Sequence, residues 1–79
     1  MEGFRVKRFI ELYGVAVATG MMGKTTDDEI SKYLGREDER EIALIKELQP
    51  VLMDFGVSET ETMKKINEIC RKYGFDELP

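Results

Sequence analysis

The chain has 79 residues, a formal net charge of −4, one cysteine and no histidine. An internal disulfide is excluded, and a zinc site would need carboxylates with the thiolate of Cys70, which is poor zinc chemistry. We therefore predict neither metal nor cofactor, and one small domain over residues 1–79 whose modest core is held by packing alone or by a partner.

The first predicted element is a helix from Phe4 to about Thr19. Its early part has a polar side, formed by Arg5, Lys7, Arg8 and Glu11. After Leu12 the segment is apolar all round, which is typical of a buried helix end. Residues 15–17 alone could form a strand, but the apolar pattern is longer than a typical strand and favours a helix. Gly20 and Gly23 are expected to end it.

The segment ATGMMGKT, residues 18–25, ends in the Gly-Lys-Thr signature of a phosphate-binding loop. The longer stretch VAVATGMMGKTT resembles the nucleotide loop of Mur-type ligases. This resemblance implies nucleotide binding through Gly23, Lys24 and Thr25. Such a loop also needs a preceding strand and a parallel sheet, whereas the rest of the chain has helical patterns. We favour the alternative of a glycine-punctuated turn before a capped helix.

Two more helices are predicted in the middle of the chain. Thr26 and Glu29 have the spacing of a capping box, which begins a short helix from Asp27 to Leu34 that Gly35 ends. Its buried residues are expected to be Ile30, Tyr33 and Leu34. The third helix opens on the acid-rich residues 36–39 and carries an apolar stripe through Phe55. Pro50 should kink or break it near Gln49.

The fourth helix begins at a second capping-box pattern, residues 58–61, and runs to about Tyr73. Gly74 is the predicted C-terminal cap, with Phe75 folding back onto the last turn. Cys70 falls on its inward side, which predicts a buried structural thiol. The predicted fold class is all-α: a compact bundle of about four short helices with a middle like a helix-turn-helix.

The stretch EISKYLGREDEREIALIKEL, residues 29–48, resembles the helix-turn-helix motif of DNA-binding regulators, with Ile30 and Leu34 inward and Gly35 at the turn. The resemblance implies a second helix that contacts DNA. The basic residues that could do so are Arg5, Lys7, Arg8, Arg36 and Arg40. Acidic residues at the start of that helix oppose phosphate, so DNA regulation is the alternative function and nucleic acid is not the expected partner.

Two surface features point to a protein partner instead. Met21 and Met22 lie between two glycines, where they form a partner patch if they are exposed and core if they are buried. The start of the third helix is expected to be a solvated acidic rim that steers a basic partner. Its residues are Glu37, Asp38, Glu39 and Glu41.

The leading hypothesis is therefore a small cytosolic regulator or adaptor that binds another protein. With no histidine and no activated nucleophile evident, catalysis is not expected and no catalytic residue is proposed. The apolar half of the first helix is more than three short helices can cover, which favours homodimerisation or docking on a larger protein. An acidic helix can also imitate phosphate, which extends the hypothesis to an inhibitor of a nucleic-acid enzyme. No stretch is apolar and long enough to suggest a membrane protein.

Overall fold

The computed structural model describes the backbone of residues 2–75 and the side chains of residues 7–75. Four helices follow one another along the chain: α1 is Glu2–Met21, α2 is Asp27–Leu34, α3 is Glu39–Leu52 and α4 is Glu59–Tyr73. No strand occurs among the described residues. The predicted all-α fold is confirmed.

α2 has the predicted bounds because both of its ends are capped as the sequence indicates. The Thr26 hydroxyl accepts a hydrogen bond from the Glu29 amide, and the Glu29 carboxylate accepts one from the Thr26 amide. Gly35 closes the helix in the left-handed region, at φ 83°. The expected burial of Tyr33 is wrong, since this side chain is 47% exposed whereas Ile30 is fully buried.

α1 is longer than predicted. Gly20 lies inside the helix, and the chain turns only at Gly23, which has a φ of 68°. A glycine is tolerated within a helix at a cost of about 1 kcal/mol relative to alanine, so it need not end one. Here Gly20 packs against α3: a β-carbon at this position would lie 3.6 Å from atoms of Gln49 and Met53.

α3 differs from its prediction at both ends. It begins at Glu39, because Asp38 is the N-cap and its carboxylate accepts hydrogen bonds from the amides of Arg40 and Glu41. It does not end near Gln49, since the helix continues through Pro50 to Leu52. Pro50 is exposed and close to the C-terminal end, where losing one backbone donor interrupts few hydrogen bonds.

α3 is the central element, since it packs against each of the other three helices. Its residues Leu44, Ile45 and Leu48 are fully buried. By contrast, no described Cα of α1 comes within 8 Å of one in α4. The two outer helices are therefore joined through α3 and through side chains. The buried core consists of Phe9, Leu12, Ala16, Ile30, Ile42, Leu44, Ile45, Leu48, Ile66, Ile69 and Cys70.

The C-terminal end of α4 is fixed as predicted. Gly74 adopts φ 79°, and the amide of Phe75 donates to the carbonyl of Cys70 at 2.8 Å. The ring of Phe75 then lies 6.0 Å from the ring of Phe9 in α1, measured between centroids. Cys70 itself is completely buried, as expected. None of the described helices is long and apolar enough to cross a membrane.

Candidate protein-binding surface

The paired methionines are exposed. Met21 has 75% of its surface accessible and Met22 has 48%. The Tyr33 hydroxyl of α2 lies 3.3 Å from the Met22 sulfur, so Met21, Met22 and Tyr33 form one patch, which we call the methionine patch. Of the two alternatives set by the sequence, the structure places these methionines on the surface.

The patch continues along the outer face of α1. Ile10 is 59% exposed, and Gly14 and Ala18 are exposed at successive turns before Met21. Because residues three and four apart share one face of a helix, these four positions form a single stripe. The exposed residues Lys7 and Glu11 lie on the same face at its N-terminal end, but residues 12–21 contain no charged side chain. A solvated helix usually presents charged and polar residues on its outer face. The C-terminal half of the outer face of α1 therefore has the character of an interface.

A groove between α1 and α4 adjoins this stripe, and sequence reasoning did not find it. Two neighbouring cavities of about 380 and 290 Å³ share Tyr13, Met63 and Ile66 as walls, so they form one depression. We call it the α1–α4 groove; its main apolar walls are Phe9, Ile10, Tyr13, Phe55, Met63 and Ile66. Phe55 is 86% exposed at one end, and Ile10 joins the groove to the stripe on α1.

Two carboxylates, Asp54 and Glu59, lie at the Phe55 end of the groove. No lysine or arginine is among the described residues that line either cavity. The negative C-terminal end of α3 and the positive N-terminal end of α4 both lie here, so the acidic character of this end comes from the two carboxylates.

Glu41 is not part of a solvated acidic rim, and that expectation is wrong for this residue. It is 7% exposed and accepts hydrogen bonds from two arginines. Arg8 Nε of α1 lies 2.7 Å from its Oε2 atom, and Arg36 Nε lies 2.9 Å from its Oε1 atom. Each guanidinium also contacts Oε1 through Nη2. Glu41 therefore ties the start of α3 to α1 and to the α2–α3 turn.

The charge states of this cluster follow from its hydrogen bonds. The bond from Arg8 lowers the pKa of the Glu41 carboxyl, and the bond from Arg36 acts in the same direction against the effect of burial. The pKa of Arg8 is raised, chiefly by its bond to Glu41. Glu41 and Arg8 therefore both stay charged in neutral solution, and their ion pair stabilises the structure.

The other three acidic candidates remain at the surface. Glu37 and Glu39 are exposed and Asp38 is half-buried as the cap of α3. They line a shallow depression together with Asp27 and Asp28 from the start of α2. The N-terminal ends of two helices thus carry one acidic surface.

The basic residues predicted as candidates for DNA contact differ in their contacts and exposure. Arg8 and Arg36 are paired with Glu41, and the guanidinium of Arg40 lies 5.8 Å from the ring centroid of Phe75. Lys7 is exposed, beside the cavity that Arg8, Glu11, Arg36 and Glu41 line. The side chain of Arg5 lies outside the described residues. Among the described members of this set, only Lys7 is both exposed and without an ion pair or ring contact.

The stretch that resembles a phosphate-binding loop has a different conformation. Residues 18–21 are helical, so no strand delivers the chain to Gly23. The amide of Lys24 donates to the Thr19 carbonyl at 2.8 Å, and its side chain lies 3.8 Å from the Glu29 carboxylate. Thr25 is an exposed residue before the cap of α2. The backbone amides do not form the phosphate cradle that this motif requires.

Among the side chains of residues 7–75, no group of acidic or cysteine residues is arranged to hold a metal ion. Comparison with protein family models, with curated proteins and with solved structures gives no match.

Proposed function

We propose that this protein is a non-enzymatic regulator or adaptor that acts by binding another protein through the outer face of α1 and the methionine patch. The observation that carries the proposal is the uncharged C-terminal half of α1, residues 12–21, which ends in a side chain that is 75% exposed. Contiguous exposed apolar surface marks interaction sites on small proteins. Methionine side chains adapt to the shape of a partner because they are unbranched and polarisable.

The acidic surface at the starts of α2 and α3 supports a basic partner. Asp27, Asp28, Glu37, Asp38 and Glu39 lie together there. Clustered charge of one sign raises the rate at which an oppositely charged partner is encountered, and this effect weakens as salt is added. The same charges oppose the phosphates of nucleic acid.

Affinity capture from extracts of the source organism, treated with nuclease, tests the proposal. We expect the intact protein to retain a partner that a Met21→Asp, Met22→Asp double variant does not retain. Glu68→Ala, at an exposed polar position of α4, is the matched control and should retain it. Retention by the double variant would refute the role of this face. If the partner is captured only from extracts that have not been treated with nuclease, so that duplex DNA is still present, the DNA-binding alternative would be favoured.

A further inference from the structure

We infer that the α1–α4 groove binds an amphipathic helix of a partner protein, with a lysine or arginine of that helix placed against Asp54 and Glu59. This inference rests on the proposed protein-binding function and identifies the chemistry of the partner segment. It concerns residues that the methionine patch does not include.

The groove exists because the backbones of the two helices that form its walls are held apart. α3 lies between them, and no described Cα of α1 lies within 8 Å of one in α4. Side chains fill the floor: Phe9 is fully buried and Ile66 is 2% exposed, whereas Ile10 and Phe55 remain largely accessible at the edges. The fold thus leaves an open apolar depression between α1 and α4.

The chemistry of the walls selects a helix over an extended peptide. The cavity beside Ile10 is lined by Phe9, Ile10, Tyr13, Met63 and Ile66, and Tyr13 contributes the one polar side-chain atom among them. An extended segment would bring unpaired backbone groups into this apolar space, and the described residues contain no strand edge to pair with them. A helix satisfies its own backbone groups and presents apolar residues at intervals of three and four.

The charges fix which helix fits and how it is oriented. Asp54 and Glu59 are both exposed, both line the Phe55 end, and neither forms an ion pair with a described residue. A partner helix with a basic residue near one end places that residue here, while its apolar face covers Met63 and Ile66.

The test is selection from a displayed library of helix-forming peptides of about 16 residues, which is some four turns. We expect the selected peptides to share apolar residues at helical spacing and a lysine or arginine near one end. Their affinity for Phe55→Asp, a change at an exposed position that leaves the core intact, should fall about tenfold or more. Glu68→Ala, at an exposed position of α4 outside the groove, is the matched control and should bind the selected peptides normally.

Charge reversal tests the orientation. With Asp54→Lys and Glu59→Gln together, the selected peptides should bind about tenfold more weakly, and peptides in which glutamate replaces the basic residue should bind better. The inference would be overturned if such peptides are not enriched. It would also be overturned if the enriched peptides bind Phe55→Asp as tightly as they bind the natural protein. A dimer in light scattering that Phe55→Asp dissociates would overturn it too, because a second copy would then occupy the groove. If partner capture still depends on Met21 and Met22, the proposed function survives each of these results.

Discussion

At the scale of single residues, Glu41 shows that neighbouring acidic side chains can differ in burial and in hydrogen-bond partners because of their position in the fold. Residues 37–41 contain four acidic side chains, and the local sequence does not distinguish one of them from the others. Glu41 alone is opposite Arg8, a residue 33 positions earlier in the chain. Helix periodicity predicts that position 41 shares a face with Ile45, but it does not reveal a partner on another helix. The ion pairs that Glu41 forms therefore could not be predicted from local pattern.

Replacing Glu41 should destabilise the protein more than replacing its neighbour. Glu41→Gln leaves two guanidinium groups without their carboxylate, and we expect a loss of about 2 kcal/mol in the free energy of unfolding at neutral pH. The loss is smaller than for a fully buried pair because Arg36 is half exposed to water. Urea unfolding measures it. Glu37→Gln, at an exposed site, is the control and should change stability by less than about 0.5 kcal/mol.

The same carboxyl makes stability depend on pH. Its pKa in the folded protein lies below the ordinary value of 4.5, so its contribution is complete above that value and is lost as the pH falls through the folded pKa. The advantage of the natural protein over Glu41→Gln should therefore be constant above pH 4.5 and shrink as the pH falls below it. The pKa values of Glu29 and Glu47 are also lowered, by bonds from Thr26 and Tyr73, so both proteins weaken in acid. A difference that stays constant as the pH falls below 4.5 would contradict this role of Glu41.

Gly74 is needed for its backbone conformation and for the space around it. It has a positive φ, and an added β-carbon would lie 2.7 Å from Nη2 of Arg40. Arg40 can move because this atom is the end of a flexible side chain, so most of the penalty comes from the backbone. We expect Gly74→Ala to cost about 1–2 kcal/mol, measured by thermal or urea unfolding. An unchanged stability would show that the last turn of α4 readily adopts another conformation.

At the scale of elements, the boundaries set by local chemistry were predictable and those set by neighbours were not. The caps of α2 and α4 use side chains within three residues of each helix end, and both helices were placed well. α1 was predicted too short because Gly20 was interpreted as a breaker, although it contacts Gln49 of α3 closely. α3 was predicted to kink or break near Gln49, but the helix continues through Pro50 to Leu52.

Gly14 gives a test of α1 that complements the test at Gly74. It lies within the helix at an exposed position, and a β-carbon there would meet no atom within 4 Å. Gly14→Ala should therefore stabilise the protein by up to about 1 kcal/mol through helix propensity alone. Circular dichroism during thermal unfolding measures the change. A loss of stability would indicate a contact at this face that the isolated chain does not show, such as a second copy.

At the scale of the whole molecule, the arrangement around α3 decides both stability and the accessible surfaces. The groove could not be predicted because it arises from two helices whose Cα atoms stay more than 8 Å apart, and no pattern within either helix records that separation. The sequence left open whether Met21 and Met22 lie in the core or at the surface, and only the fold could decide between the two. The all-α class, by contrast, followed from periodicity along the chain.

Because α3 joins the other helices, a cavity in it should weaken the molecule as a unit. Leu48→Ala removes a fully buried side chain, and we expect a loss of about 3 kcal/mol with one cooperative transition. That is a large share of the ~4–12 kcal/mol expected for a domain of this length. Val51→Ala, half-buried on the same helix, should cost clearly less. Separate transitions for α1 and α4 would show that the helices do not depend on a common centre.

Because Cys70 is completely buried in this core, a thiol reagent reaches its sulfur only when α4 detaches. The rate of thiol modification therefore measures how often the native structure opens. Since the sequence contains no second cysteine, every modified molecule records the same event. Alkylation followed by mass spectrometry would thus rank variants in crude extracts, without denaturant and without purification.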